Sequence, residues 1–218
     1  MRTVCGIFLF LLFSFSCCVA AEEGWQLYQE QPTVRVEYRK NANELLQINA
    51  STTVYSSLGA FLHLLEDTAN IQNWLVNSER AVILAQPDPY THIVHTQFKA
   101  VWPVSPRDMI THSVWSQHPE TGVVTLTVSD MGQQFPVKAG YIRMQRVVGV
   151  WTLTPLSAGQ VHIEYEGQAD PSGRLPQFLT NNVALKSTFQ TFEKLATVLV
   201  DYQRLYPNLV ELVIKPAK

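Results

Sequence analysis

Cysteine is almost missing from this chain of 218 residues, and the three it has, Cys5, Cys17 and Cys18, all lie near its start. The remainder has no disulfide framework and must be held by apolar burial. An excess of either charge is missing as well. The 16 Lys and Arg stand against 18 Asp and Glu, a net charge of −2, and no basic cluster is present to neutralise several phosphates, so nucleic acid is not expected as a partner. No Gly-x-Ser-x-Gly elbow, phosphate-binding glycine loop or His-Glu-x-x-His helix occurs. The histidines do not supply a metal site: His92 and His95, three apart on a strand, face opposite sides, and His112 and His162 meet only through tertiary structure with no downstream Cys to join them. Neither a metal nor a cofactor is expected.

What is present begins with an export signal. Met1-Arg2 carries the positive charge, Ile7 to Phe15 is apolar apart from Ser14, and Val19-Ala20-Ala21 offers small residues for cleavage after Ala21. The apolar run is shorter than the ~20 residues that span a bilayer, which argues against a retained anchor. Phe15-Ser16 before the cysteine pair fits a lipidation box poorly. The expected location is the periplasm, or the extracellular space. The apolar share of 46% is ample for a core in the mature chain, which is expected to be a monomer.

Period-two and period-3.6 patterns divide the rest. Glu22 to Gln31 reads as a short helix with Trp25, Leu27 and Tyr28 as its contacts. Val34, Val36 and Tyr38 alternate with Arg35, Glu37 and Arg39 as a strand, and Leu45 to Tyr55 completes a hairpin. Ser56-Ser57 caps a helix from Leu58, followed by a helical turn at Asn70 to Leu75. Ala81 to Leu84, Thr91 to Val101, Met109 to Ser116, Val123 to Ser129, Gly140 to Thr154 and Gln160 to Gln168 read as further strands between Pro- and Gly-marked turns. After Asp170-Pro171-Ser172-Gly173, the stretch from Leu175 to Leu205 has no Gly or Pro beyond Pro176. There Leu185, Phe189, Phe192, Ala196 and Leu199 fall on one helical face, on a rod of roughly 45 Å. Strands followed by one long helix imply an α+β architecture. A sheet curved around a single helix encloses more volume than the helix's stripe fills, and that excess is room for a ligand.

Three segments carry a family likeness. Trp102-Pro103-Val104-Ser105-Pro106-Arg107-Asp108, then Tyr141-Ile142-Arg143 with Gly149-Val150-Trp151-Thr152-Leu153-Thr154-Pro155, then Asp170-Pro171-Ser172-Gly173-Arg174-Leu175-Pro176 resemble the START family of lipid-transfer domains over roughly Trp25 to Leu205. The resemblance implies the helix-grip fold (START/Bet v 1-like): a curved antiparallel sheet wrapped around a long C-terminal helix, with an internal cavity. With the signal peptide read above over residues 1–21, the START-like lipid-binding domain is expected over 22–218. It implies an apolar tunnel that binds, and transfers, a lipid or other hydrophobic small molecule without covalent chemistry, with transient membrane contact. The rival reading is an enzyme on the same scaffold, a cyclase or hydrolase using His or Glu/Asp as acid and base, which fold alone does not exclude. A further rival is an interaction module whose cavity is packed shut.

One departure stands out. Where sterol- and ceramide-binding relatives commonly carry an Arg, six residues after the Arg of the Pro-Arg-Asp segment, this chain has Ser113, with His112 beside it. The polar determinant is then a His, Ser or Thr. Arg107 suits oxyanion recognition; Asp108 reads as a loop salt bridge or a cap for strand amides. Tyr141, Arg143 and Gln145 share one face by period two, either a wet outer face or a tunnel wall. Trp151 and Tyr165 are core, ligand wall, or both. The candidate ligand-binding residues on the strands and their loops are thus Trp102, Arg107, His112, Tyr141, Arg143, Trp151 and Tyr165. Those on the helix are Phe178, Asn182, Leu185 and Phe189.

Overall fold

A computed structural model of the protein describes residues 24–211, so the expected signal segment, residues 1–21, lies outside it. Among the described residues the strands are β1 (Gln26–Glu30), β2 (Val34–Lys40), β3 (Leu46–Tyr55), β4 (Ser78–Asp88), β5 (Thr91–Phe98), β6 (Arg107–Gln117), β7 (Val124–Asp130), β8 (Ile142–Arg143), β9 (Gln145–Pro155) and β10 (Gln160–Asp170). They form one sheet in the order β1-β2-β3-β10-β9-β7-β6-β5-β4. Neighbours run antiparallel, except that the short β8 pairs parallel to the start of β6. Two helices cover one face, α1 (Leu58–Glu66) and α2 (Gln177–Val198).

The alternation that predicts β2 and β3 is obeyed: along β3, Leu46, Ile48, Ala50, Thr52 and Val54 are buried and the residues between them are not. Ser57 caps α1 by accepting from the Ala60 amide at 3.1 Å. The carboxylate of Glu211 also reaches this helix start, taking the amides of Leu58 at 3.1 Å and Gly59 at 2.7 Å. Gly59 is required there, because a Cβ would sit 2.9 Å from that of Tyr206.

Several boundaries move. The expected helix over Glu22 to Gln31 is instead β1, which pairs with β2 and adds an edge to the sheet. Trp25 lies under the Arg39 guanidinium at 4.4 Å and Leu27 is exposed. Strand pairing outweighs a weak local helix preference. The strand predicted to run to Val101 stops at Phe98, and the one predicted from Gly140 breaks at Met144 into β8 and β9. The long helix has 22 residues, or ~33 Å. A 3₁₀ turn, Leu199–Tyr202, then bends the chain so that Tyr206 enters the core. Ala196 is exposed and Leu195 takes its place in the core, after a step of three from Phe192.

Candidate functional site

Between the concave face of the sheet and α2 lies a cavity of about 410 Å³. This is above the ~300 Å³ below which ligand sites become rare, so the cavity is not packed shut. Its walls are mostly apolar: Leu126, Val128, Val147 and Trp151 from β7 and β9, Leu62 and Leu65 from α1, Val94 from β5. Trp151 is the hub of the aromatic wall. Its ring is 5.1 Å from Phe61, 4.6 Å from Tyr165 and stacked on Phe192 at 5.7 Å.

Two faces of α2 divide the work. Leu185, Phe189, Phe192 and Leu195 are buried, and the helix packs on β2 and β3. The face toward the cavity carries Thr180, Ala184, Ser187, Thr188 and Thr191, spaced at helical period. Three of its four hydroxyls are occupied locally. Thr180 donates to the Gln177 carbonyl at 2.9 Å, and Ser187 donates to Val183 at 2.7 Å while accepting from the Asn77 amide at 2.6 Å. Thr191 accepts the Val76 amide at 3.1 Å. The contacts of Val76 and Asn77 clamp the 74–77 loop onto the helix.

At the α1 end of the cavity, polar groups converge. Glu66, the last residue of α1, accepts from the Tyr206 hydroxyl and stands 3.4 Å from Nε2 of the buried His92. Burial alone would raise the Glu66 carboxyl, but the nearby His92 ring and the bond from Tyr206 outweigh it and hold it below its ordinary range. The same burial and the Glu66 bond push the Tyr206 phenol up. Trp115 meets the Tyr206 ring edge-on at 5.6 Å, and Ser113, at the position of the departure from the family pattern, pairs across the sheet with His92.

The other end, the mouth, is bounded by loops that two guanidiniums hold by their carbonyls. Arg107 donates from Nε to Pro171 at 2.8 Å, from Nη1 to Ser105 at 2.8 Å and from Nη2 to Ser172 at 3.1 Å. Arg143 makes two 2.9 Å bonds to the Asp108 carboxylate and reaches on to the carbonyls of Gly132, Phe135 and Pro136. His95 completes the cluster at 2.8 Å from Asp108. Burial would raise Asp108, yet Arg143 and His95 hold its carboxyl below the usual range. Asp108 is thus a fully buried ion-pair centre on a strand rather than a loop bridge or a cap. The break at Met144 lets Arg143 turn inward while Gln145 faces solvent, so the expected common face of Tyr141, Arg143 and Gln145 does not form.

Of the candidate residues, Arg107, Trp151 and Tyr165 lie on the cavity wall. Leu185 and Phe189 are buried in the core beside it and Arg143 is in the ion-pair cluster. His112 is on β6 with the parity opposite to the wall residues Thr111 and Ser113. Tyr141 bonds Glu79 at 2.6 Å at the surface. Asn182 is exposed while its neighbour Asn181 lines the cavity. Trp102 and Phe178 project into solvent, 92% and 70% exposed. Sequence reasoning missed Glu66, His92 and Tyr206, which converge only through tertiary structure, and the hydroxyl face of α2, whose period was readable from Thr180 to Thr191.

Comparison with known proteins agrees with this geometry. An uncharacterized protein of Pseudomonas aeruginosa is 24% identical over 179 residues, covering 81% of this chain and 87% of its own. A STAR-related lipid transfer protein from Xanthomonas axonopodis superposes with a TM-score of 0.73 at 24% identity, over 82% of this chain and 99% of that one. Human StAR-related lipid transfer protein 5 gives 0.73 at 18% identity, over 83% and 88%. At these identities the structures establish the fold, a helix-grip architecture. The START domain model matches residues 16–202, most of the sequence, and on that match the chain belongs to the START domain family.

Proposed function

We propose that this protein binds one lipid-like molecule noncovalently in the cavity between sheet and α2, and transfers it. The observation that carries the reading is the apolar-walled cavity of about 410 Å³, which removes a ligand's apolar surface from water at about 25 cal/mol per Å². Transfer requires access, and the mouth loops favour a membrane as the donor surface. Trp102, Val137 and Phe178 are exposed on three segments around that end, at 92%, 63% and 70%. They are proposed to touch the bilayer while the cavity fills. Export through cleavage after Ala21, into the periplasm or beyond, and a monomeric mature chain are part of the same proposal. The names of the STAR-related structural relatives support lipid as the cargo.

The test is mass spectrometry of organic extracts from the purified exported protein, combined with uptake of a fluorescent lipid from vesicles. A co-purifying lipid and saturable uptake are expected. Empty extracts together with no uptake refute the proposal. N-terminal sequencing of the exported form should begin at Glu22.

A second reading, acid–base catalysis on a bound ligand, has one observation in its favour: Glu66 and His92 stand together on the cavity wall. Glu66, held in its charged form, would serve as a base rather than an acid. If cargo recovered from Glu66→Gln protein is chemically identical to that from the wild type, the catalytic reading is refuted.

A further inference from the structure

Tyr165 is placed by a feature that packing does not need. It lies at the centre of β10, paired with Trp151 of β9. Two residues on and therefore on the same face is Gly167, whose partner across the strands is Gly149. A Cβ at Gly167 would fall 2.1 Å from the Tyr165 hydroxyl oxygen, and one at Gly149 would fall 2.8 Å from Cε2 of its ring. The phenol ring therefore lies down over a gap that the glycine pair leaves in the side-chain layer. Glycine inside paired strands weakens them and marks a close approach. Here the approaching group is this ring.

The hydroxyl so positioned has no protein partner: among the described residues it makes no hydrogen bond. The side chain is deeply enclosed yet keeps accessible surface, and that surface is on the cavity wall. The indole nitrogens of Trp74 and Trp115 also lack partners, but they are sealed from solvent. Burial pushes the phenol up to about 12, so it stays neutral and keeps its proton to donate. Phenylalanine would fill the same gap without an unpaired polar group, whose burial is costly.

We propose that the Tyr165 hydroxyl is a specificity-determining donor to a carbonyl or ester oxygen carried part-way along an apolar ligand. The part-way position follows from the strand: Tyr165 lies five residues from either end of β10, roughly 17 Å at ~3.3 Å per residue. The charged groups, Glu66 and Arg107, stand toward the cavity's two ends. The inference rests on the cavity-binding reading and adds the chemistry of what is bound.

The test compares wild type, Tyr165→Phe and Gly167→Ala in titrations with two probes, a pyrene-labelled long-chain methyl ester and the pyrene-labelled alkane of matched length. Tyr165→Phe should bind the ester about five-fold more weakly, the worth of one hydrogen bond, with alkane affinity and melting temperature unchanged or raised. Gly167→Ala, which displaces the hydroxyl, should show the same selective loss. Equal effects on both probes, or no effect on the ester, overturn the inference while leaving the cavity reading intact. Failure of the wild type to bind either probe overturns the cavity reading itself and this inference with it. Should Gly167→Ala fail to fold, Tyr165→Phe alone decides.

Discussion

The two ends of the cavity are closed by different means. At the α1 end the closure is made by side chains: Trp115 against Tyr206, Tyr206 on Glu66, and the Glu211 carboxylate on the first amides of α1. At the mouth it is made by backbone, with Arg107 and Arg143 gathering the carbonyls of residues 105, 132, 135, 136, 171 and 172. Rings wedged into a core open only by unpacking it. A loop held by one side chain's bonds to a few carbonyls is released as a unit when that side chain moves. The mouth is therefore the end we propose to open, and the α1 end the one we propose to stay shut.

At the mouth the largest effect should come from Asp108, on which its loops depend. Asp108→Asn leaves Arg143 buried without its counter-charge, and loss of one partner of a buried pair costs about 3–5 kcal/mol. Chemical denaturation at neutral pH checks this. The sign of the pH dependence follows from the depressed folded-state carboxyl. Its contribution is fully present above the ordinary Asp value of about 4 and is lost as pH falls through the lower folded value. Wild-type stability should thus fall on acidification over that window, and the Asn variant should lose correspondingly less there. An Asn variant as stable as the wild type would mean the mouth loops hold without the pair.

Among the residues of the mouth, Arg107 should come next. Arg107→Gln releases residues 105, 171 and 172; bonds to a charged donor are worth ~1.5–3 kcal/mol each, but the variant no longer buries a guanidinium that has no carboxylate partner among the described residues, so a net loss of about 2 kcal/mol is expected. The sharper readout is kinetic. Exchange of a bound fluorescent lipid, followed by stopped flow, should quicken several-fold, whereas an α1-end variant should leave it unchanged. Equal exchange rates in both would erase the distinction between the ends.

How much of this was legible in sequence varies with whether the signal is local. The hairpin of β2 and β3, the Ser57 cap and the strand series follow from period and capping residues, and the family segments mark the fold. The α2 stripe of Leu185, Phe189 and Phe192 was also readable, but periodicity says only that a face is buried, not against what. Phe189 is 4% exposed and packs in the core. Phe189→Ala is accordingly expected to cost roughly 3–5 kcal/mol, with lipid affinity of the folded fraction unchanged. Arg107 and Asp108 are adjacent and were readable as a pair, yet their partners lie at residues 171, 172 and 143, so their roles as clamp and ion-pair centre depend on the register of the whole sheet. Glu66, His92 and Tyr206 come from three elements far apart in the chain, and no local pattern joins them.

The smallest effect belongs to Tyr206, and it tests the closed end. Its hydroxyl donates to a carboxylate that also faces His92, so Tyr206→Phe removes one charge-assisted bond while keeping the ring on Trp115; a loss of about 1.5 kcal/mol is expected. With that bond gone, less opposes the burial that raises Glu66, so its titration, followed by carboxyl carbon NMR, should move upward relative to the wild type. Lipid exchange should stay at the wild-type rate, because the ring and not the hydroxyl seals this end. If Tyr206→Phe instead accelerates exchange as Arg107→Gln does, the α1 end is a second door, and the contrast between a wedged end and a tied one fails.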